Sequence, residues 1–446
     1  MFGLAPEWLL SGRTARPVAD SLVLSHPEQI ARLRRACPEA AHTAVLAGDP
    51  CFDRMLAARP YRDRYRRALG VRRGQRLVVL NSTWNPESLF GDRSGAGGAD
   101  ILPALLPALT SELPADEYRL AAVLHPNIWH GHGPGQIRAW LDRAQRGGLT
   151  LIDPLHDWRQ ALIAADTVIG DHGAVTYYAA ALGTPVLLGA APLAGLDPAS
   201  PAADFVRRAP RLDPHRPLRP QLDAPHPPEP GPAEFTTSLP GESATRLRRL
   251  FYAHLALRPP TGPALLEPLP LPPYRPAART APLRVLTRYR GAREVEVERY
   301  ADPDRTPRAR GRDGTTESHT AVHEDTRDPR ALDLADLVLR DGPPDDPRFG
   351  SPADWCAEVL DRHRDCALAV YVTGPDACVV RTRAGDLLDV TARHDGDADP
   401  AAYASALHTL LAAGHPVDAL AADGLTVRTG TAAHRVTVTP RRDRRD

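Results

Sequence analysis

The sequence contains no lysine; all 55 of its Lys+Arg positions are arginine. A Walker A loop, whose lysine reaches the terminal phosphates of a nucleotide, is thereby excluded. Neither G-x-G-x-x-G nor G-x-S-x-G occurs, which removes the dinucleotide fingerprint and the nucleophile elbow of α/β-hydrolases. Net charge is absent too, since 55 acidic residues balance the arginines. No overall field draws the chain to nucleic acid. The arginine groups in RLRRACPEA and RDRYRR lack interleaved aromatics and read as solvated helix faces, so no nucleic-acid partner is expected. Cysteine is scarce and odd in number (Cys37, Cys51, Cys356, Cys366, Cys378), with no C-x-x-C pair. Reduced thiols and a cytoplasmic location are the expectation. No apolar run reaches the roughly 18 residues of a membrane span, which leaves peripheral membrane contact open. The opening MFGLAPEWLLSGR lacks the basic start and long apolar core of a signal peptide.

What is present is repeated βα alternation. The stretch 168–188, VIGDHGAVTYYAAALGTPVLL, shows its grammar. Thr167 to Ile169 is a short β-branched run suited to a buried strand. Ala174 to Leu182 is helix-prone and Gly183 stops it. Pro185 to Leu188 is a second buried strand. Strand, turn, helix and strand make the unit of a parallel sheet. The same grammar places strands in RLVVLNSTW, YRLAAVLHP and LTLID, and helices in ILPALLPALTSEL, QIRAWLDRAQ, HDWRQALIAA and ESATRLRRLFYAHLAL. NPESLFGDRSGAGGAD and NIWHGHGPG read as loops. With about 150 residues per domain, 446 residues suggest two or three domains. Residues 1–70 hold too few α/β units to close a domain. Residues 71–258 form a doubly wound parallel sheet. Residues 259–280 are a semi-rigid Pro-rich linker. Residues 281–446 change to an α+β pattern with mostly antiparallel strands, in which 301–330 reads as a long charged loop.

In a parallel sheet, ligands sit beyond the carboxyl ends of the strands. Those ends carry Asn81, Ser82, Thr83 and Trp84, then His125, then Asp153, then Asp171, His172, Gly173 and Thr176. Gly173 allows close approach of a ligand to the backbone, and the helix after it offers free N–H groups to an anion. The bland alternative is a plain strand-to-helix turn with Asp171 as its cap. His125, His130 and His132 match no strong metal-ligand spacing, so no metal is expected. Ser25 and His26 are adjacent on a strand and point to opposite faces, which disfavours a nucleophile–base pair.

The order of these motifs resembles the CDP-glycerol glycerophosphotransferases, the teichoic-acid polymerases and primases. AGDPCFDRML is similar to their G-x-P-x-x-D segment, LVVLNSTW to their strand and P-T-W, and LAAVLHPN to their strand ending in His-Pro. LIDPLHDWRQALIAADTVIGDHGAVTYYAAALGTPVLL is similar to their segment ending in a D-Y-S-S-V loop and a G-x-P strand. Other GT-B glycosyltransferases and UDP-N-acetylglucosamine 2-epimerases share the layout. The likeness covers residues 1–190 and fades by about 258; residues 259–446 resemble nothing recognised.

The resemblance implies a GT-B-like fold of one full Rossmann-like domain and a partial one before it. It implies a nucleotide-activated donor in the cleft and no cofactor. His125 and the loop Asp171–Thr176 would hold the donor pyrophosphate, with Asn81, Ser82 and Thr83 lining the floor. Where the family has D-Y-S-S, this chain has Asp171-His172-Gly173-Ala174, so both hydroxyls are missing and His172 stands as their replacement. The family's catalytic base precedes the G-x-P-x-x-D segment, where only about 47 residues stand here. A start internal to a longer protein, or a lost half-domain whose bare edge favours self-association, accounts for that. Two further readings remain open: a catalytically silent nucleotide binder, and an epimerase or hydrolase using Asp153, Asp157 or Asp171.

Overall fold

The computed structural model describes residues 4–12, 15–91, 101–227, 230–301, 316–392 and 398–441. Near the start, β1 (Leu22–Leu24) and β2 (Ala44–Leu46) pair in parallel, Leu22 opposite Ala44. The helix Pro27–Ala36 between them starts on a reciprocal cap. His26 Nδ1 accepts the Glu28 N–H at 3.1 Å, and the Gln29 side chain accepts the Ser25 N–H at 2.9 Å. Proline at the first helical position sets the entry without losing a hydrogen bond.

The second sheet contains β3 (Arg76–Ser82), β4 (Tyr118–Leu124), β5 (Thr150–Leu151), β6 (Thr167–Gly170) and β7 (Val186–Leu188). All five strands are parallel, in the order β5-β4-β3-β6-β7. Their unbroken apolar runs reflect burial on both faces. Val78 and Leu80 pack with Leu105, Leu120 and Ile169 on one side. Leu77 and Val79 pack with Val123, Leu162 and Val168 on the other. NIWHGHGPG departs from the loop reading. Pro126–His132 is a helix, because His125 Nδ1 accepts the Asn127 N–H at 3.1 Å and Pro126 takes the first helical position.

The Pro-rich segment 259–280 has no regular secondary structure, yet it is fastened to this sheet's layers. Leu269 is buried in the same core as Leu77, and the Tyr65 hydroxyl donates to its carbonyl at 3.2 Å. Gln160 Nε2 donates to the Pro270 carbonyl at 2.9 Å, and Arg275 Nη2 to Asp157 at 2.9 Å. It is a strap rather than a spacer.

The third unit is a closed barrel of nine strands: β8 (Leu283–Gly291), β9 (Glu294–Tyr300), β10 (Thr316–His323), β11 (Leu337–Asp341), β12 (Leu368–Val372), β13 (Ala377–Thr382), β14 (Leu387–Ala392), β15 (Leu425–Thr429) and β16 (Ala432–Pro440). Three of its nine pairings are parallel (β10–β11, β11–β12, β9–β15). β10 corrects the reading of 301–330 as a loop; residues 302–315 lie outside the described residues. TESHTAVH is too polar to announce a strand, and β8 and β11 on either side supply the pairing that local propensity does not. The helix Pro400–Ala412, capped by Asp399, runs through the barrel and packs on strands around its wall. Its sequence PAAYASALHTLLA is apolar on every side, as an enclosed helix requires. Small Ala side chains let Val285, Val297, Val390 and Val427 close around it.

Candidate functional site at the switch point

In the five-stranded sheet the chain runs from β3 outward to β4 and β5, then returns to the other side of β3 for β6 and β7. The connections therefore diverge between β3 and β6, the place where an open α/β sheet forms a crevice. The loops beginning at Asn81 and Asp171 meet there.

Asp171 is fully buried and joins the two loops. Its Oδ2 accepts the Thr83 N–H at 2.8 Å, the Leu89 N–H at 3.1 Å and the Ser82 hydroxyl at 3.3 Å. Its Oδ1 accepts the Gly173 N–H at 2.9 Å. Burial pushes its pKa up, against the three amides and His172. Below it, Asn81 Nδ2 donates to Thr176 Oγ1 at 2.7 Å, and both residues are buried. Ser82 Oγ accepts the Phe90 N–H at 2.8 Å. The fold thus gathers Asn81, Ser82, Asp171 and Thr176, but their polar atoms are spent on one another and on the loops. They shape the crevice from beneath.

The groups left open are different. The His172 ring is buried, with Nε2 3.0 Å from Asn85 Nδ2. Among the described residues its Nδ1 has no hydrogen-bond partner, and neither has Asn85 Oδ1. Burial lowers the His172 pKa, against Asp171 and Glu87, so the ring is held neutral. With Asn85 donating to Nε2, the ring proton lies on the unpartnered Nδ1. Asn85 was not legible as part of the site; it stands in a loop whose sequence advertises turns only.

His125 is half-buried on the β4 side. Its backbone N–H donates to the Ser82 carbonyl at 3.0 Å, and its ring lies 6.4 Å from that of Trp84, which is 58% exposed. Burial lowers the His125 pKa, against Asp171. His132 leans on Trp140 with ring centres 5.0 Å apart, away from any cluster. Among the described residues, no group of three or more His, Cys, Asp or Glu side chains could hold a metal ion.

Gly173 precedes the helix Ala174–Ala181, whose first turn no side chain caps. A Cβ on Gly173 would stand 2.9 Å from both Asp171 Oδ1 and Thr83 Cβ. Gly173→Ala is therefore expected to cost about 1–3 kcal/mol by forcing the loops apart, read by chemical denaturation. Gly131→Ala, with nothing within 4 Å of its added Cβ, is the control that stays near wild type.

The exits of β1 and β2 face the same helix. A cleft of about 120 Å³ is lined by Ser25, Gln29, Asp49, Ala174, Tyr178 and Phe235, among others. Asp49 caps the helix Pro50–Ala58 and accepts the Tyr178 hydroxyl at 2.7 Å. Glu28 is paired with Arg32 at 2.6 Å. Both carboxylates on this wall are engaged.

No protein-family model and no curated protein matches the chain. Solved structures do. The wall teichoic acid polymerase TagF is 17% identical over 38% of each chain, with a TM-score of 0.26. A histidine variant of TagF soaked with CDPG is 18% identical over 52% of this chain and 51% of that one, with a TM-score of 0.29. A Listeria monocytogenes protein assigned as a UDP-N-acetylglucosamine 2-epimerase is 18% identical over 53% and 60%, with a TM-score of 0.31. The matched region spans 38–60% of those chains. Similarity this low carries no functional argument; the chemistry of the crevice has to carry it. No helix among the described residues is long and apolar enough to cross a membrane.

Proposed function

We propose that the chain is a GT-B-type transferase whose donor is nucleotide-activated, either CDP-glycerol or a nucleotide sugar, bound where β3 and β6 diverge. The observation that carries this reading is the unpartnered, buried His172 Nδ1 beside the uncapped start of the helix Ala174–Ala181. A neutral imidazole N–H and the first-turn amides form one bank of donors for a pyrophosphate. Such donors act most strongly on the charge that develops as the nucleotide leaves. His125 and Trp84 supply a second wall, with an aromatic face for a base or sugar.

A second reading, a binder that keeps the nucleotide and does no chemistry, draws support from the engaged carboxylates. Asp49, Glu28 and Asp171 all have partners, so none stands free as a general base. The two readings separate on one protein preparation. Titration with CDP, UDP, GDP, ADP and TDP measures binding, and release of the nucleotide from its activated donor measures transfer. His172→Ala and His125→Ala are each expected to weaken nucleotide binding about tenfold, the loss of one charge-assisted hydrogen bond. Unchanged affinity in both variants rejects the site.

A further inference from the structure

A larger cavity lies at the opposite edge of the same sheet. It measures about 370 Å³ and sits between the segment 67–75 that leads into β3, the strap and the mouth of the barrel. Arg67, Arg72, Arg279 and Arg299 line it, against Asp341 and Asp399. This volume is in the range of small-molecule sites.

The charges around its floor do not balance. Arg299 is 1% exposed and holds Asp116 at 2.7 Å and Asp399 at 2.8 Å. Arg279 reaches Asp399 at 3.3 Å and donates to the Ala115 carbonyl at 3.0 Å, while among the described residues its buried Nε has no hydrogen-bond partner. Among the described residues Arg72 hydrogen-bonds carbonyls alone, those of Ala398 at 2.5 Å and Pro375 at 3.0 Å, and acts on Asp399 only through its charge. Behind the wall, buried Arg119 likewise binds carbonyls and a hydroxyl, with no acid. Four guanidiniums therefore share two carboxylates among the described residues. Asp157 is taken by Arg275, and Asp341 lies beside His323 at the rim. Burial lowers the pKa of Arg279, as does neighbouring Arg299. Burial brings Arg119 down to about 9, with Arg279 contributing. Uncompensated buried cations are costly. An anion in the cavity relieves that cost, and Arg67, exposed at the mouth and without a partner among the described residues, is placed to meet it.

We propose that this cavity is a second ligand site, for a small metabolite bearing an oxyanion, phosphate or carboxylate, gripped between Arg67 and Arg279. Both anions match the guanidinium fork that Arg67 leaves open, with the charge of Arg279 beneath it. The site is independent of the switch-point crevice, from which the length of the strands separates it.

The test is calorimetric titration of the full chain with inorganic phosphate and with citrate, against chloride at equal ionic strength. Binding of either anion is expected, weakened at least about tenfold by Arg279→Gln and by Arg67→Gln and unchanged in His172→Ala. Phosphate binding alone assigns the site to phosphate esters; citrate binding alone assigns it to carboxylates. Binding of neither anion overturns the proposal. So does binding that both arginine variants leave intact, or that His172→Ala abolishes. Arg67 lies at the exposed rim, so Arg67→Gln keeps the test decisive if Arg279→Gln does not fold.

Discussion

Asp171→Ala lowers the unfolding transition of the parallel-sheet unit by about 6–12 °C in differential scanning calorimetry. The carboxylate accepts three backbone N–H groups, from Thr83, Leu89 and Gly173, and is fully buried. Deleting it leaves three buried donors without acceptors, each worth roughly 1–3 kcal/mol. A total of about 3 kcal/mol after relaxation corresponds to that shift at 2–4 °C per kcal/mol. Asp171→Asn is the sharper variant. It keeps the shape but turns one acceptor into a donor facing N–H groups, so it too is destabilised. A shift below about 2 °C in both variants means that the loops hold together without this residue.

The second large effect falls on Arg299. Its guanidinium, in β9 of the barrel, clasps Asp116 at the entry to β4 and Asp399 at the cap of the central helix. Arg299→Met strands the Asp116 carboxylate and leaves Asp399 only its longer contact to Arg279 in a buried junction, and it is expected to cost about 3–5 kcal/mol. Denaturation reads the loss, and limited proteolysis of 259–280 reads the loosened docking of barrel on sheet. Arg299→Lys rescues little, since an ammonium cannot hold both acids in fork geometry. The junction is also pH-dependent. Burial alone would raise the Asp399 carboxyl, but Arg299, Arg72 and Arg279 hold it well below the usual carboxylate range. Its contribution is thus fully present above the unfolded value of about 3.9 and is lost as pH falls below it. Wild type should lose junction stability on acidification below about pH 4, and Arg299→Met should show a flatter profile.

The strands of the parallel sheet were legible because burial on both faces writes them as apolar runs. At Asp49–Pro50 a cap and a proline stand together at the start of a helix. His125–Pro126 carries the same signal, but the glycines at 131 and 133 mask it, and the helix reads as a loop. The polar cluster at the strand ends was also legible: Asn81, Ser82, Asp171 and Thr176 do converge. Their inward orientation was not, because spacing cannot say whether an Asp at a strand end faces solvent or the amides of the next loop. The closed barrel was illegible for a related reason. Short alternating strands fix a face but not a partner, and three parallel pairings depend on contacts across the whole unit. Nor does the composition of 259–280 reveal that Leu269 and Arg275 bind the strap to the sheet.

Whether the crevice between β3 and β6 takes a nucleotide is decided by calorimetric titration of the full chain with the five nucleoside diphosphates, beside His172→Ala. One base is expected to bind selectively, and the variant to bind it about tenfold more weakly. If no diphosphate binds the folded chain, or if His172→Ala binds as wild type does, the crevice is not a nucleotide site.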